Sequence, residues 1–139
     1  MIRQGRAYVA GAAEGAALVL TAPLSFWGGV EVETGRIIDA SHPQRGENIA
    51  GRILVMPSGR GSSSSSSVLA EAIRLGTAPR GIVLASADPI LTVGAIVARS
   101  LYDLPCPIVV CPIEGLATGD RLHVHAGAEG DAEVRTAAR

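Results

Sequence analysis

One stretch of the sequence decides the fold: it reads Arg-Ile-Leu-Val-Met (52–56), Pro-Ser-Gly-Arg-Gly (57–61), six serines (62–67) and Val-Leu-Ala-Glu-Ala-Ile-Arg-Leu (68–75). The first five residues form a short apolar run typical of a fully buried strand, which the proline ends. The last eight residues place Leu69, Ala72 and Ile73 on one face of a helix, and Gly76 is a typical helix stop. The stretch therefore predicts a buried strand, a turn with a serine run, and a helix.

The same alternation continues towards the C-terminus. Residues 81–85 and 107–111 are two further apolar runs that predict buried strands. Between them, residues 90–101 predict a second helix, with Asp88-Pro89 as its N-cap and first turn. Residues 121–125 alternate between polar and apolar side chains and predict a further strand.

The N-terminal half reads mainly as β-structure. Residues 5–10 and 16–20 predict two short strands that form a hairpin or lie side by side, and residues 21–48 predict a long irregular segment. The chain is thus expected to be an α/β domain with two main helices and a sheet-rich or barrel-like side. Residues 1–126 are expected to form this single domain, and the polar residues 127–139 a flexible C-terminal tail.

The charge balance excludes several classes of function. Twelve basic and 13 acidic residues leave a net charge of −1, and only 3% of the residues are aromatic. These values do not fit a protein that binds nucleic acid or anionic membranes through a basic surface. All the basic residues are arginine, which excludes a phosphate-loop lysine and a lysine Schiff base.

The lack of a recognisable targeting signal and the pattern of the two cysteines predict a cytoplasmic protein. The first residues lack the apolar core of a secretory signal, and no apolar run reaches the length of about 18 residues that a membrane helix needs. Cys106 directly precedes the predicted strand 107–111 and Cys111 ends it, and positions five apart along a strand face opposite sides. We expect two buried, reduced thiols with neither a disulfide nor a shared metal site.

The turn before the serine run is the strongest candidate for a binding site. Gly59-Arg60-Gly61 lies between a predicted strand and a predicted helix, so N–H groups at the helix N-terminus can face a ligand. Serine hydroxyls add donors, and Arg60 adds a cation with bidentate geometry. These groups predict a site for a carboxylate or phosphate, and the alternative is a flexible serine linker. A Walker loop is excluded, because no Gly-Lys-[Ser/Thr] ending is present.

A second candidate loop reads Ser-Phe-Trp-Gly-Gly (25–29). Gly28 and Gly29 permit a close backbone approach, and Trp27 can serve as a wall or lid of a site. The alternative is a core aromatic beside a turn. His42, in Ser-His-Pro, is a loop residue that either lines the same site or has only a local role.

The remaining histidines are weaker candidates. His123 and His125 lie two apart on a predicted strand and therefore share a face. They form either a metal-binding pair or part of a solvent-facing surface. Because no cysteine or third ligand is near them in sequence, the surface interpretation is favoured and no metal is expected in this chain.

A series of short motifs runs along the chain in a fixed order. It comprises Pro-Leu-Ser-Phe-Trp-Gly-Gly-Val (23–30), Gly-Arg-Ile-Ile-Asp (35–39), Ser-His-Pro (41–43), Gly-Arg-Ile-Leu-Val-Met-Pro-Ser-Gly-Arg-Gly-Ser-Ser (51–63), Gly-Thr-Ala-Pro-Arg-Gly-Ile-Val-Leu (76–84) and Val-Gly-Ala-Ile-Val-Ala (93–98). From about Gly5 to Val124 this order resembles the small subunit of the aconitase X family. The resemblance implies a swivelling β/β/α domain similar to the mobile domain of aconitases.

The resemblance also implies a partner and a reaction. In this family the small subunit closes over a large subunit that holds an iron–sulfur cluster or iron, and the complex dehydrates a small hydroxy acid. A serine directly after the swivel-domain glycine is the base in aconitases, and Ser62 after Gly61 matches it. Ser63, Ser64 and neighbouring amides would then bind the substrate carboxylate, with Arg60 as a further contact.

The family includes dehydratases of cis-3-hydroxy-L-proline and of phosphomevalonate. The serine run and the lysine-free, alanine-rich composition favour the first substrate, with a pyrroline-2-carboxylate as the product. Two other hypotheses stay open from the residues alone. One is a stand-alone module that binds a carboxylate or phosphate, and the other is a structural partner whose serine loop is only flexible.

Overall fold

Seven strands close into a barrel in the computed structural model, which describes residues 1–137. Around the barrel they follow the order β1 (Ile2–Val9), β7 (Ile108–Val110), β6 (Gly81–Leu84), β5 (Ile53–Met56), β2 (Gly11–Val19), β8 (Arg121–Ala126) and β9 (Asp131–Thr136). Strands β2, β5, β6 and β7 form a parallel run. The other pairings are antiparallel, and the β1–β9 pair closes the barrel.

Two helices pack together on the outside of the parallel strands: α1 (Ser65–Leu75) connects β5 to β6, and α2 (Pro89–Tyr102) connects β6 to β7. Gly94 lets α2 approach α1 closely, because a Cβ there would lie 2.6 Å from the carbonyl oxygen of Ser66. The segment between β2 and β5 is irregular apart from the two-residue strands β3 (Val30–Glu31) and β4 (Arg36–Ile37). The predicted α/β architecture with a barrel-like side and two main helices is confirmed.

Two apolar cores explain why the central strands are buried on both faces. In β5, Leu54 and Met56 pack into the core beneath the helices, whereas Ile53 and Val55 point into the barrel. The two cysteines divide in the same way, with Cys106 in the helix-side core and Cys111 in the barrel. This confirms that both thiols are buried and face opposite sides.

Local end signals place the helix boundaries. The carboxylate of Asp88 accepts hydrogen bonds from the N–H groups of Ile90 and Leu91, which confirms it as the N-cap of α2. Gly76 ends α1 in the left-handed conformation, with φ of 81°, as predicted. Helix α1 begins at Ser65, three residues before the predicted start at Val68, so half of the serine run is helical.

The predicted pairing of the first two strands is wrong. Strand β1 pairs with β7 and β9, and β2 pairs with β5 and β8, so the two strands are not neighbours. Residues 11–15, which lie between the two predicted strands, belong to β2. Small side chains fit there because the strand runs close to other backbone: a Cβ on Gly15 would lie 3.3 Å from the Gly51 carbonyl oxygen.

The predicted flexible tail is also wrong over most of its length. Residues 131–136 form β9, which pairs with both β8 and β1 and buries Ala132 and Val134. The barrel needs this strand for closure, a long-range requirement that the polar composition of the segment conceals. Residues 138–139 of the predicted tail lie outside the described residues. No helix in the described part of the chain is both long and apolar enough to span a bilayer.

Candidate functional site at the start of helix α1

Three loops meet at one edge of the barrel because each follows a parallel strand. The Trp27 loop (residues 21–29) follows β2, the serine loop (residues 57–64) follows β5, and Asp88 follows β6. Leu24 and Gly59 pair as an isolated parallel bridge, and the Asp88 carboxylate packs against the α-carbon of Gly59. Binding sites of α/β folds are usually built at this carboxyl edge of the strands.

Hydrogen bonds within the serine loop shape the N-terminus of α1. The Ser64 N–H donates to the hydroxyl oxygen of Ser62 at 3.0 Å, and the Ser65 N–H donates to the Ser62 carbonyl oxygen at 3.0 Å. Ser62 is half-buried, whereas Ser63 and Ser64 are exposed. Among the described residues, the N–H groups of Ser62 and Ser63 have no partner. They are therefore free to bind an anion where the helix dipole is positive.

Gly61 brings the serine loop against the Trp27 loop. Its φ of 95° lies in the left-handed region, and a Cβ there would lie 2.5 Å from the hydroxyl oxygen of Ser25. That hydroxyl in turn donates to the Trp27 carbonyl oxygen at 2.9 Å. A residue other than glycine at this position would therefore be strained and would separate the loops.

Ser65 holds the other side of the Trp27 loop. It is buried at 3% exposure, and its hydroxyl oxygen accepts the Trp27 N–H at 3.0 Å. Phe26 is completely buried, whereas the Trp27 side chain is 59% exposed. Phe26 is thus the core aromatic of this loop, whereas the Trp27 backbone is held at the N-terminus of α1 and its side chain is largely exposed.

Arg60 lies at the outer side of the serine loop. Hydrogen bonds from the hydroxyl and N–H of Ser41 lower the pKa of the Asp39 carboxyl, and the positive charge of Arg60 lowers it further. The exposed guanidinium therefore lies near the turn at residues 39–41. In the part of the chain that the structure describes, Arg60 forms no ion pair, which leaves its donors available to a ligand.

His42 has a structural position. It is buried, and its Nδ1 accepts the Gln44 N–H at 3.0 Å, so the ring proton resides on Nε2. Nε2 then donates to the Ala22 carbonyl oxygen at 3.1 Å. Both ring nitrogens are occupied by backbone groups, so His42 supports the Trp27 loop and offers no free nitrogen to a ligand.

His123 and His125 lie on the exposed face of β8, on the barrel wall, and share that face as predicted. The Nδ1 of His123 lies 2.9 Å from Oε2 of Glu14. The hydrogen bond from Arg121 and the charge of His123 hold the pKa of the exposed Glu14 carboxyl below its usual range. Within residues 1–137, no group of three or more histidine, cysteine, aspartate or glutamate side chains is arranged to hold a metal ion.

The role of Ser65 differs from that of the other serines, and residue types alone do not reveal it. Ser65 lies one turn before Leu69 and two turns before Ile73, so it continues the buried face of α1. Extending the helical periodicity backwards through the serine run predicts this inward position. The run is therefore one buried serine among half-buried and exposed ones rather than a uniform polar linker.

The arrangement can bind and orient a small anion. The free N–H groups, the exposed hydroxyls and the Arg60 guanidinium belong to one short loop, whose solvent-exposed face adjoins the Trp27 loop. The Ser62 hydroxyl oxygen already accepts one N–H bond, which favours its deprotonated form. The face is open to solvent, so a further body must cover it before water is excluded.

Comparison with known proteins identifies the family. The chain matches the family model of the aconitase X swivel domain over residues 2–134. It is 42% identical to the cis-3-hydroxy-L-proline dehydratase of Pseudomonas aeruginosa, over 95% of this chain and 24% of that protein. It is 41% identical to the phosphomevalonate dehydratase small subunit of Thermococcus gammatolerans, over 94% of this chain and 95% of that subunit.

The fold agrees with these matches. The crystal structure of Thermococcus kodakaraensis aconitase X in its holo-form superposes with a TM-score of 0.88 at 37% identity, over 99% of each chain. The chain spans about a quarter of the Pseudomonas protein but nearly the whole Thermococcus small subunit. The resemblance seen in the ordered motifs is confirmed, and this chain belongs to the aconitase X swivel-domain family.

Proposed function

We propose that this chain is the small subunit of a hydro-lyase that, together with a larger subunit, removes water from a hydroxy acid. The observation that carries the proposal is the serine loop, whose free donors lie at the N-terminus of α1 beside the exposed Trp27. The names of the relatives support it, since both are dehydratases and one is a small subunit. Because the loop lies on an open face, the chain alone has no activity in this proposal.

The serine loop binds the substrate carboxylate. The free N–H groups of Ser62 and Ser63 and the exposed hydroxyls of Ser63 and Ser64 supply donors at the positive end of the helix dipole. Arg60 supplies a charged donor from the side, and Gly61 lets the backbone approach the substrate. Gly28, with a positive φ, and Gly29, where a Cβ would clash with the Ser25 carbonyl oxygen, permit the tight turn of the Trp27 loop, and the indole covers the bound substrate.

Ser62 acts as the base in this proposal. It removes the proton from the carbon that bears the carboxylate, while the hydroxyl group leaves from the neighbouring carbon as hydroxide and a double bond forms. The abstracted proton and the hydroxide together account for the one water that is lost. A neutral serine is a weak base, so its anionic form needs support. The N–H bond from Ser64 and the dipole of α1 provide that support.

We assign the iron–sulfur cluster or iron of the complex to the large subunit. The thiols of this chain do not fit such a group, since Cys106 and Cys111 lie in two separate cores. Burial raises the pKa of the Cys106 thiol to about 12, which keeps it protonated. When bound in the partner, the iron would act as a Lewis acid towards the departing hydroxyl.

We favour cis-3-hydroxy-L-proline as the substrate, with a pyrroline-2-carboxylate as the product. The support is the serine-only loop after Gly61, together with 42% identity to the Pseudomonas dehydratase. Phosphomevalonate is the second candidate. One observation favours it: the chain covers 95% of a separate small subunit that bears this name, at 41% identity.

The test is turnover by the assembled complex. The chain is co-expressed with the large subunit from the same genome, purified without oxygen and with iron, and given each substrate separately. Turnover of cis-3-hydroxy-L-proline supports the favoured substrate. If only phosphomevalonate is turned over, phosphomevalonate is the substrate instead. If neither is turned over and the isolated chain binds a carboxylate or phosphate tightly, the stand-alone binding module is the better account.

A further inference from the structure

Helix α2 exposes an apolar face. Four large apolar side chains project from it at helical spacing: Val93 is 50% exposed, Ile96 50%, Val97 38% and Leu101 67%. The opposite face is buried and consists of Leu91 and small residues. Arg99 is the one charged residue among the 14 residues of the helix. A helix that is apolar on nearly all sides is normally covered by protein on all sides.

Neighbouring residues extend this surface, here called the α2 face and defined by Tyr8, Val93, Ile96, Val97, Leu101 and Leu104. Tyr8 and Leu104 are each 39% exposed. A shallow groove of about 440 Å³ lies between β1 and α2 and is lined by Tyr8, Ile96 and Ser100, among others. Monomeric proteins rarely expose a contiguous apolar patch of more than a few hundred Å². Several large apolar side chains exposed on one helix face are typical of a surface that another protein covers.

The α2 face begins next to the candidate site. Asp88, which caps α2, packs against Gly59 of the serine loop. Six residues further along, Gly94 packs against Ser66 at the start of α1. The N-termini of both helices therefore point to the same edge of the barrel. A body that covers the serine loop meets the first turns of α2 as well.

We infer that the α2 face is the docking surface for the large subunit. This inference rests on the proposed function, because that function supplies the partner. In the Pseudomonas relative the matched region makes up 24% of the chain, so the remainder of that chain is a much larger body to which a partner subunit would correspond. One partner that closes on the serine loop also covers the adjoining apolar helix. A second copy of this chain would cover the helix without completing the site.

The test compares charged variants on and off the face. Ile96→Glu and Leu101→Lys introduce charges at exposed positions, so the fold is retained. Ile2→Glu is the matched control, since Ile2 is also 50% exposed but lies roughly 20 Å along β1 from Tyr8. Each variant is titrated against the large subunit, and the oligomeric state of the isolated chain is measured by sedimentation. The fold is checked by circular dichroism.

We expect Ile96→Glu and Leu101→Lys each to weaken association about 30-fold or more, and Ile2→Glu to leave it within about threefold. If both face variants bind the large subunit with the affinity of the wild type, the inference is overturned. The inference is also overturned if the wild-type chain forms a homodimer and either face variant is a monomer, because a second copy of the chain then covers the α2 face.

A second readout uses the wild-type complex and needs no variant. Tyr8, one of the two tyrosines of the chain, is 39% exposed and belongs to the α2 face. Hydroxyl-radical footprinting should show Tyr8 protected in the complex, and its unchanged oxidation contradicts the inference. Assembly without turnover of either substrate refutes the proposed reaction but leaves the docking surface standing. Absence of any assembly overturns both.

Discussion

Gly61 is a single position on which the contact between the serine and Trp27 loops depends. Its left-handed backbone and the nearby Ser25 hydroxyl leave no room for a side chain. We predict that Gly61→Ala lowers the free energy of unfolding by about 1–2 kcal/mol. Trp27 is the sole tryptophan, so its fluorescence should shift as the loops separate. Gly46→Ala is the control, because Gly46 shares the positive φ but has open space around it. Equal fluorescence changes in both variants would contradict this account.

Ser65 is the serine whose substitution should destabilise the folded state. Its buried hydroxyl accepts the Trp27 N–H, and removing it leaves that donor unsatisfied. We predict that Ser65→Ala destabilises the protein by about 1–2 kcal/mol in urea unfolding. Ser67→Ala serves as the control, since Ser67 is exposed in the same turn. If Ser67→Ala lowered the free energy of unfolding as much as Ser65→Ala, the serine run would contribute to stability only through helix propensity.

At the scale of elements, the contact between the helices depends on Gly94. A larger residue there must displace the Ser66 backbone, because a Cβ would already lie 2.6 Å from its carbonyl oxygen. We predict that Gly94→Val destabilises the protein by about 1–3 kcal/mol and lowers the melting temperature. Val93→Ala, at an adjacent exposed position of α2, should have an effect within about 0.5 kcal/mol. Similar melting temperatures for the two variants would contradict this prediction, because they would mean that the helices can move apart without a loss of stability.

The same scale shows which elements residue patterns can predict. Strands β5, β6 and β7 are recognisable because burial on both faces demands continuous apolar runs. Strand β9 is not recognisable from its residue pattern, because only Ala132 and Val134 face inward and its other residues are polar. Likewise the pairing of β1 and β2 depends on contacts far along the chain, for which local residues carry no signal.

For the candidate site, residue types predicted an anion-binding loop before helix α1, and the geometry of that loop is compatible with the prediction. They did not reveal that Ser65 points inward or that both nitrogens of His42 are occupied. The first follows from helical periodicity, which a run of identical residues hides. The second depends on a contact with Ala22, 20 residues away, and no local pattern encodes it.

At the scale of the whole molecule, the buried thiols couple stability to alkaline pH. Burial raises the pKa of the Cys106 thiol from its ordinary value of 9.0 to about 12. Because the folded-state pKa is raised, the stabilising contribution is fully present below pH 9 and is lost as the pH rises towards about 12. Above pH 9 the free energy of unfolding should therefore fall more steeply in the wild type than in Cys106→Ala, by about 1.4 kcal/mol per pH unit. Parallel slopes in denaturant titrations would contradict this.

The central claim is that Ser62 performs the chemistry of a complex whose other parts lie in a larger subunit. It is tested most directly by single-turnover dehydration in the complex of the chain with its large subunit, comparing wild type, Ser62→Ala and Ser67→Ala. We predict that Ser62→Ala assembles normally but reacts about 10²–10⁴-fold more slowly, as loss of a general base requires. Ser67→Ala should keep the wild-type rate. Wild-type turnover by the Ser62→Ala complex would contradict the account.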